Sequence, residues 1–296
     1  MSSLDASNTS FLSGDIIYGG DVAAWKKLGA SLMMRAAMRI ADVNEAKARE
    51  YFTKGMNYGP IASSADNALY QFDANPEIAN PLYIDQAINN RDDFAVSDVL
   101  VNKLEALGDP RIAAYAGVTN SGEYEGLPYG LTDAEAFALK SLTSRPSELV
   151  RSADAPHVVM DFAEVSFLMA EAVERGFITG DAAQFYNDAV GASLEYWGYA
   201  NDADAYITAN PYDATNWKAS IGEQKWLAFY MNGPQAWAEW RRLDYPQLTV
   251  PEAAVISVIP VRLPYPISED TRNGTALSAA TSDINDLTQK LWWDVN

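Results

Sequence analysis

One stretch, residues 160–198, constrains the fold most strongly because it contains two amphipathic helical patterns joined by a short turn. In its first half, apolar side chains recur at steps of three and four residues, as on one side of an α-helix. These positions are Phe162, Val165, Leu168, Met169, Ala172 and Val173. Gly176 indicates the end of this helix. Asp181 with Gln184 predicts the N-cap and capping box of a second helix, which ends at Gly198. The stretch therefore predicts an antiparallel helical hairpin.

Two further helical pairs are predicted, at residues 21–57 and 221–243. In the first pair, an apolar stripe begins at Trp25, and Asn44 is placed to cap the second helix. In the second pair, residues 232–234 read Asn-Gly-Pro, which typically ends one helix and starts another. The sequence Trp-x-x-Leu-Gly that starts at Trp25 partly matches the opening of a tetratricopeptide repeat. The chain is therefore predicted to be mainly α and built from tetratricopeptide-like helical hairpins.

A long insertion separates the first two helical pairs. Residues 58–157 lose helical periodicity and contain several X-Pro steps. Within them, only residues 96–107 predict a short helix. A long irregular segment in a compact domain usually carries function, and the aromatic content of this one disfavours disorder.

The two ends of the chain show weaker patterns. Residues 1–24 are rich in Ser, Gly, Asn and Asp and are predicted to be a loop. The tail, residues 244–296, is predicted to wrap over the helices with a short β segment at residues 255–259. We predict one domain that spans residues 1–296.

The charge of the chain restricts its possible partners. There are 21 basic and 40 acidic residues, a net charge of -19 at pH 7, which disfavours nucleic acids and anionic lipid surfaces. The chain contains no cysteine, which excludes disulfides, thiolate catalysis and cysteine-bound metals within it. The sequence shows neither a signal-peptide pattern nor an apolar run long enough to cross a membrane.

Paired carboxylates could indicate a glycoside hydrolase. Glu164 and Glu171 share one face of a predicted helix. Two helical turns place them about 10 Å apart on the same side, whereas a glycosidase needs carboxyl groups on opposite sides of a bond, roughly 5 to 9 Å apart. We therefore expect these acids, like Arg35 and Arg39, to make polar contacts between helices, and a hydrolase remains an alternative.

No metal site or cofactor site is predicted. His157 is the only histidine, so a multi-histidine site is impossible within this chain, and no nucleophile-elbow pattern is present. Residues 202–206 begin like a calcium loop but lack the required glycine and glutamate further on. We expect a structural or surface role for His157 and a hydrated acidic loop at residues 202–206.

The aromatic residues fall into two groups. Those in predicted helices, Trp25, Trp197, Trp226 and Trp237, are expected to pack between hairpins. Those in loops lie among Asp, Asn and Arg, a mixture that suits sugars, because C–H faces stack on rings and hydroxyls bind polar groups. The predicted ligand-binding residues are Phe72, Tyr83, Arg91, Asp92, Tyr124 and Tyr129.

Five ordered blocks of sequence form a specific combination. The blocks are Asp15-Ile-Ile-Tyr-Gly-Gly-Asp21 with Trp25-Lys-Lys-Leu-Gly-Ala-Ser31-Leu32, Phe162-Ala-Glu164 with Ala170-Glu171-Ala172, Gln224-Lys-Trp226 with Glu239-Trp-Arg-Arg242 and Tyr245-Pro246, Pro260-Val-Arg-Leu-Pro-Tyr-Pro266, and Leu291-Trp-Trp293. Together they resemble the SusD/RagB family. The resemblance implies tetratricopeptide-like helical pairs carrying irregular loops, in an outer-membrane lipoprotein of Bacteroidetes-type bacteria. Such proteins bind nutrients and form the lid of a TonB-dependent transporter.

Members of that family also have a lipoprotein signal, an anchoring cysteine and further helical pairs at the front, so we expect this chain to correspond to the C-terminal portion. The expected function is capture of oligosaccharides at the cell surface, without catalysis or cofactor, for uptake through a SusC-like TonB-dependent transporter. The expected location is the outer membrane, through a lipid anchor that this chain lacks. The alternatives are peptide binding on the same scaffold, a carboxylate-based glycoside hydrolase and a structural helical-repeat adaptor.

Overall fold

Thirteen α-helices and two short strands occur in residue 5 and residues 14–295, the part of the chain that the computed structural model describes. The long helices are α1 (Val22–Arg39) and α2 (Glu45–Asn57). Strand β1 (Ala68–Tyr70) follows. The insertion then contributes α3 (Pro81–Tyr83), α4 (Asp98–Ala106), α5 (Ile112–Tyr115), α6 (Asp133–Leu139) and α7 (Glu148–Arg151). The chain continues through β2 (His157–Met160), α8 (Phe162–Glu174), α9 (Ala182–Tyr196), α10 (Ala203–Ala209), α11 (Trp217–Ala228), α12 (Gly233–Leu243) and α13 (Ile267–Ala280). The predicted mainly α class is confirmed.

Helices occupy all three ranges in which hairpins were predicted, as the pairs α1–α2, α8–α9 and α11–α12. Side-chain caps explain several starts: Asn44 accepts a hydrogen bond from the Lys47 amide, and Asp181 accepts one from the Gln184 amide at 3.2 Å. The predicted capping box at α9 was wrong, because the Gln184 side chain donates to Asp188 at 2.8 Å instead. None of the helices in the described residues is long and apolar enough to cross a membrane.

Apolar packing joins the first hairpin to α8. Met34 on α1, Phe52 on α2 and Leu168 on α8 are fully buried in one cluster, and burying each such side chain contributes roughly 1.5–3 kcal/mol. Close approach of α1 and α2 requires Gly55, since a Cβ there would lie 2.7 Å from Met34 Cγ and 2.9 Å from the Ala30 carbonyl oxygen. The hairpin is therefore packed more tightly than a side chain at residue 55 would allow.

Buried ion pairs link the hairpins to one another. Arg35 on α1 binds Glu164 on α8 through two hydrogen bonds of 2.6 and 2.5 Å. Glu171 on α8 is bound by Arg242 on α12 and by Arg175 at 2.6 Å. These acids make the interhelical contacts expected of them, and both carboxylates are occupied by arginines.

Glu239 on α12 is the centre of the same network. It is bound by Arg39 and Lys225 at 2.8 Å each and by Arg242 at 2.5 Å. Burial alone would raise the pKa of the Glu239 carboxyl, but Arg242, Lys225 and Arg39 outweigh it and hold the pKa well below its ordinary value. The predicted polar role of Arg39 is therefore confirmed.

The insertion is closed at its base by the two strands. β1 and β2 pair antiparallel, with Ala68 opposite Met160 and Tyr70 opposite His157. The helix predicted at residues 96–107 is α4, whereas the prediction that the rest of the insertion lacks helices was wrong. The additional helices have three to seven residues, which is too short for a 3.6-residue period to show in the sequence.

The tail departs from the sequence prediction. Residues 255–259 form no strand, although every one of them is described, and the Val255 side chain is fully exposed. A strand needs a partner to satisfy its main-chain groups, and no neighbouring strand pairs with this described segment. The tail contacts α12, where Trp237 Nε1 donates to the Pro260 carbonyl oxygen at 3.0 Å. The helix α13 was not predicted, and it buries only Leu277 among its described residues.

Candidate functional site

A cavity of about 310 Å³ lies where the insertion meets the helical hairpins. The insertion supplies one wall through Phe72, the start of α3, and Leu149 and Val150 on α7. The end of α9 and the turn between α11 and α12 supply the opposite wall. Residues of this second wall are Tyr196, Trp197, Tyr230, Met231 and Asn232, and β2 adds His157 and Val158.

A buried tyrosine fixes the aromatic wall. The Tyr115 ring stacks on Tyr230 with centroids 4.1 Å apart and meets Trp197 edge to face at 4.8 Å. Its hydroxyl donates to the Leu227 carbonyl oxygen at 2.9 Å, and the Tyr230 hydroxyl donates to the Tyr115 carbonyl oxygen at 3.0 Å. Burial raises the pKa of both tyrosines, so both remain neutral. Trp197 and Tyr230 therefore line the cavity in fixed orientations.

The turn between α11 and α12 is strained and tied to the strand β2. Met231 has φ 67° and its side chain is 43% exposed. A non-glycine residue in this region costs roughly 1–3 kcal/mol and persists only when its surroundings impose it. The next residue, Asn232, provides such a restraint, because its side-chain amide donates to the Val158 carbonyl oxygen at 3.2 Å.

The insertion wall is held by the side chain of Asn80 and by a ring contact of Phe72. The buried Asn80 side chain donates to the Val150 carbonyl oxygen at 2.9 Å and accepts from the Leu82 amide at 3.0 Å. These bonds connect α3 to α7. Phe72 rests edge to face on Tyr70, with ring centroids 4.8 Å apart.

The cavity is lined mainly by apolar and aromatic side chains. Among the described residues that line it, none is Asp, Glu, Lys or Arg, and the polar groups are amides, phenols and one imidazole. In the described part of the chain, no group of three His, Cys, Asp or Glu side chains comes together as a metal ion would require. Such a cavity suits a neutral ligand with apolar faces and a few hydrogen-bonding groups.

The structure separates the predicted ligand-binding residues. Phe72 lines the cavity. Arg91 and Asp92 border an adjacent crevice. Arg91 pairs with Asp93 at 2.8 Å, and Asp92 pairs with Arg145 at 3.2 Å. These charged groups are thus already paired with neighbours.

None of the three predicted tyrosines lines the cavity. Tyr83 is half-buried at the end of α3. Tyr124 packs on the apolar cluster around Leu104. The Tyr129 hydroxyl donates to the Thr249 carbonyl oxygen. Ligand binding by these tyrosines stays a prediction.

A family model described as starch-binding and associating with the outer membrane matches residues 1–266. The chain belongs to the SusD-like family. The resemblance noted in the sequence is thereby confirmed. No curated protein matches the chain significantly.

Solved structures show the same fold as this SusD-like chain. A chitin-binding protein is 30% identical, with a TM-score of 0.83, over 96% of this chain and 67% of its own. A SusD homolog from Bacteroides uniformis is 28% identical, with a TM-score of 0.84, over 98% and 69%. A chitin-binding SusD homolog from Flavobacterium johnsoniae, 23% identical with a TM-score of 0.82 over 98% and 67%, shows the fold alone. This chain spans about two thirds of each of these structures.

In this SusD-like protein, most of the aromatic wall was not predicted from the sequence. Trp197 was expected only to pack between hairpins; it packs on Tyr115 and also lines the cavity. Trp25 was assigned the same role, but it is partly exposed and its Nε1 donates to Asp15 at 2.7 Å. The sequence did contain one indication of this wall. Tyr230 lies just before Asn-Gly-Pro at residues 232–234, where a helix ends, so its ring was placed to face a turn.

Proposed function

We propose that this SusD-like protein binds neutral oligosaccharides in the aromatic cavity without cleaving them. The observation that carries the proposal is a cavity with aromatic side chains on both walls and no Asp, Glu, Lys or Arg among its described lining residues. Sugar rings present C–H faces that stack on Phe72 and Trp197, and their hydroxyls reach the amides of Asn80 and Asn232. Because the rings are already oriented, little side-chain entropy is lost on binding.

The relatives support a neutral glycan. The family is described as starch-binding, and the structure that is 30% identical is a chitin-binding protein. Starch and chitin are both uncharged polymers. A net charge of -19 also favours a neutral ligand, since it would repel a polyanion.

The predicted residues outside the cavity have secondary roles in this proposal. Arg91 and Asp92, on the adjacent crevice, contact the part of a ligand that extends beyond the cavity. Tyr124 and Tyr129 hold the insertion in place through the contacts described above, and Tyr83 follows the cavity residue Leu82 at the end of α3.

Uptake completes the proposed function. We propose that the whole protein is held at the outer membrane by a lipid anchor and hands its ligand to a SusC-like TonB-dependent transporter. This part rests on the family resemblance, and co-purification of the two proteins from outer membranes tests it.

A hydrolase finds no support in the geometry. Glu164 and Glu171 are buried on α8 and bound by arginines, so neither is available to act on a glycosidic bond. Peptide binding remains an outcome of the test, because Leu149 and Val150 would also accept apolar peptide side chains.

The test is isothermal titration with chitin and starch oligosaccharides and with short apolar peptides. Phe72→Ala should weaken glycan binding about three- to tenfold, the loss of one aromatic contact. Phe72→Tyr should retain it. The matched control is Ile78→Ala, which removes an exposed apolar side chain of the same loop that does not line the cavity.

Three outcomes are informative. Glycan that is bound and recovered intact supports capture without cleavage, whereas shortened glycan would indicate the hydrolase. Saturable binding of peptides but not of glycans would identify the ligand as a peptide. Equal affinity in Phe72→Ala and wild type would move the site away from the cavity.

A further inference from the structure

A wider hollow lies on the other side of α7 from the aromatic cavity. Its volume is about 710 Å³. Within α7, Leu149 and Val150 line the cavity, whereas Glu148 and Arg151 line the hollow. The four residues of α7 therefore separate these two parts of the described surface at this point.

A narrow crevice of about 10 Å³ borders both. Leu82 borders both the cavity and the crevice. Asp92, Arg145 and Arg151 border both the crevice and the hollow. The three depressions therefore share wall residues and lie side by side along α3 and α7.

The hollow contains exposed apolar side chains that contribute nothing to the core. Phe137 on α6 is 76% exposed and Val118 is 57% exposed, and both line the hollow. All seven residues of α6 are described, and none is buried. A capping box between Thr132 and Glu135 stabilises this helix instead. Single exposed apolar residues are common, but here two occur in one depression beside the hydroxyls of Thr119, Ser141 and Thr143.

The charged groups of the hollow are paired. Asp92 lies 3.5 Å from Lys140 and 3.2 Å from Arg145, and Arg151 pairs with Glu148. Paired groups offer both donors and acceptors to hydroxyls while leaving little net charge. Since three of these groups are cations (Lys140, Arg145 and Arg151) and two are anions (Asp92 and Glu148), the arrangement suits a polyhydroxylated ligand.

We infer that the hollow between α6 and α7 is a second subsite for the same oligosaccharide, with the Phe137 ring stacking on a sugar. The inference rests on the proposed function, and it means that the protein selects glycans long enough to cross α7. A helix with its side chains is about 10 Å across, so a disaccharide occupies one side at a time. A longer chain occupies both sides, and its second contact forms at high effective concentration.

The experiment compares chitobiose with chitohexaose, and maltose with maltohexaose, by isothermal titration. Wild type should bind the longer member of the preferred pair more tightly. Phe137→Ala should weaken binding of the longer member about three- to tenfold and leave the shorter one unchanged. The control is Leu142→Ala, which removes a 60% exposed apolar side chain close in sequence that does not line the hollow.

Folding is checked by the thermal midpoint, which Phe137→Ala should not change because α6 buries nothing. The second subsite would be overturned if wild type bound short and long oligosaccharides with equal affinity, or if Phe137→Ala bound the longer one as tightly as wild type does. Either result would leave the proposed binding in the cavity in place. If wild type binds no member of either series, the proposed function fails and the second subsite fails with it. Preferential binding of a uronate-bearing hexamer would overturn the neutral ligand.

Discussion

The helical hairpins and the insertion are stabilised by different kinds of interaction. In the hairpins, charged side chains are buried and paired across helices, as where Glu239 is bound by Arg39, Lys225 and Arg242. In the insertion, one buried pair, Arg111 with Asp109, also binds Ser193 and Gln224 of the neighbouring helices, whereas the ion pairs of Arg91 lie at the surface. Much of the insertion's shape comes from main-chain bonds, such as the one from the Gly117 amide to the Arg145 carbonyl oxygen at 2.8 Å.

This difference explains how one wall of the cavity can be rigid while the other varies. A buried ion pair fixes the relative position of the helices that carry it, because separating the partners leaves an uncompensated buried charge. Exposed pairs contribute little. The wall that carries Trp197 and Tyr230 belongs to the rigid hairpins, and the wall that carries Phe72 belongs to the insertion. We infer that changes in ligand preference among related chains would arise mainly from the insertion wall.

The largest expected effect comes from breaking the buried network. Arg242→Met leaves Glu171 and Glu239 with fewer cations and should lower the free energy of unfolding by about 3–5 kcal/mol, measured by urea denaturation. Arg91→Met is the matched change in the insertion and should have no measurable effect. Equal losses in the two variants would show that the two regions do not differ in this way.

A smaller effect is expected where the insertion itself is tightly packed. A Cβ on Gly126 would lie 2.2 Å from Asp98 Cα at the start of α4, so Gly126→Ala should destabilise the protein by about 1–3 kcal/mol. At Gly117 the nearest atom to such a Cβ is 3.7 Å away, and Gly117→Ala should be tolerated. Thermal unfolding, with hydrogen exchange of the α4 amides, distinguishes a global loss from a local one. Equal thermal stability of Gly126→Ala and Gly117→Ala would mean that the backbone at Gly126 moves to accommodate the added methyl group.

The smallest effect concerns Asp161, which caps α8 where the insertion rejoins the hairpins. Burial raises the pKa of its carboxyl from 3.8 to about 6, despite the hydrogen bond from the Glu164 amide. Since the folded protein keeps this proton to a higher pH than the unfolded chain, stability should fall as pH rises from about 4 to about 6. A rise of about two pKa units corresponds to at most about 3 kcal/mol, and we expect a fall of about 1–2 kcal/mol because the slight exposure of Asp161 weakens the effect of burial.

Asp161→Asn keeps a capping side chain and removes the titration. Chemical denaturation of both proteins between about pH 4 and about pH 7 isolates the contribution of the Asp161 carboxyl. The variant should be the more stable protein at pH 7, and the difference should vanish near pH 4. A parallel dependence of the two proteins on pH would assign the effect to other carboxyls.

Local patterns predicted the hairpins well and the site only in part. The periodicity of α8 and the caps at Asn44 and Asp181 depend on residues within a few positions, so they were readable from the sequence. The side-chain partners of Glu164 were not, because Arg35 lies 129 positions away. Of the residues predicted to bind ligand, Phe72 lines the cavity and the others lie outside it.

By itself, the sequence determined the helical hairpins, the family and the position of the long insertion, because periodicity, caps and motif order are recorded within short stretches of chain. Only the tertiary structure decided where the cavity lies. Pairing of Tyr70 with His157 returns the insertion to its starting point, and this brings Phe72 opposite Trp197 and Tyr230. This arrangement of the two walls depends on contacts between residues far apart in the chain. No local sequence pattern encodes the free energies of such contacts.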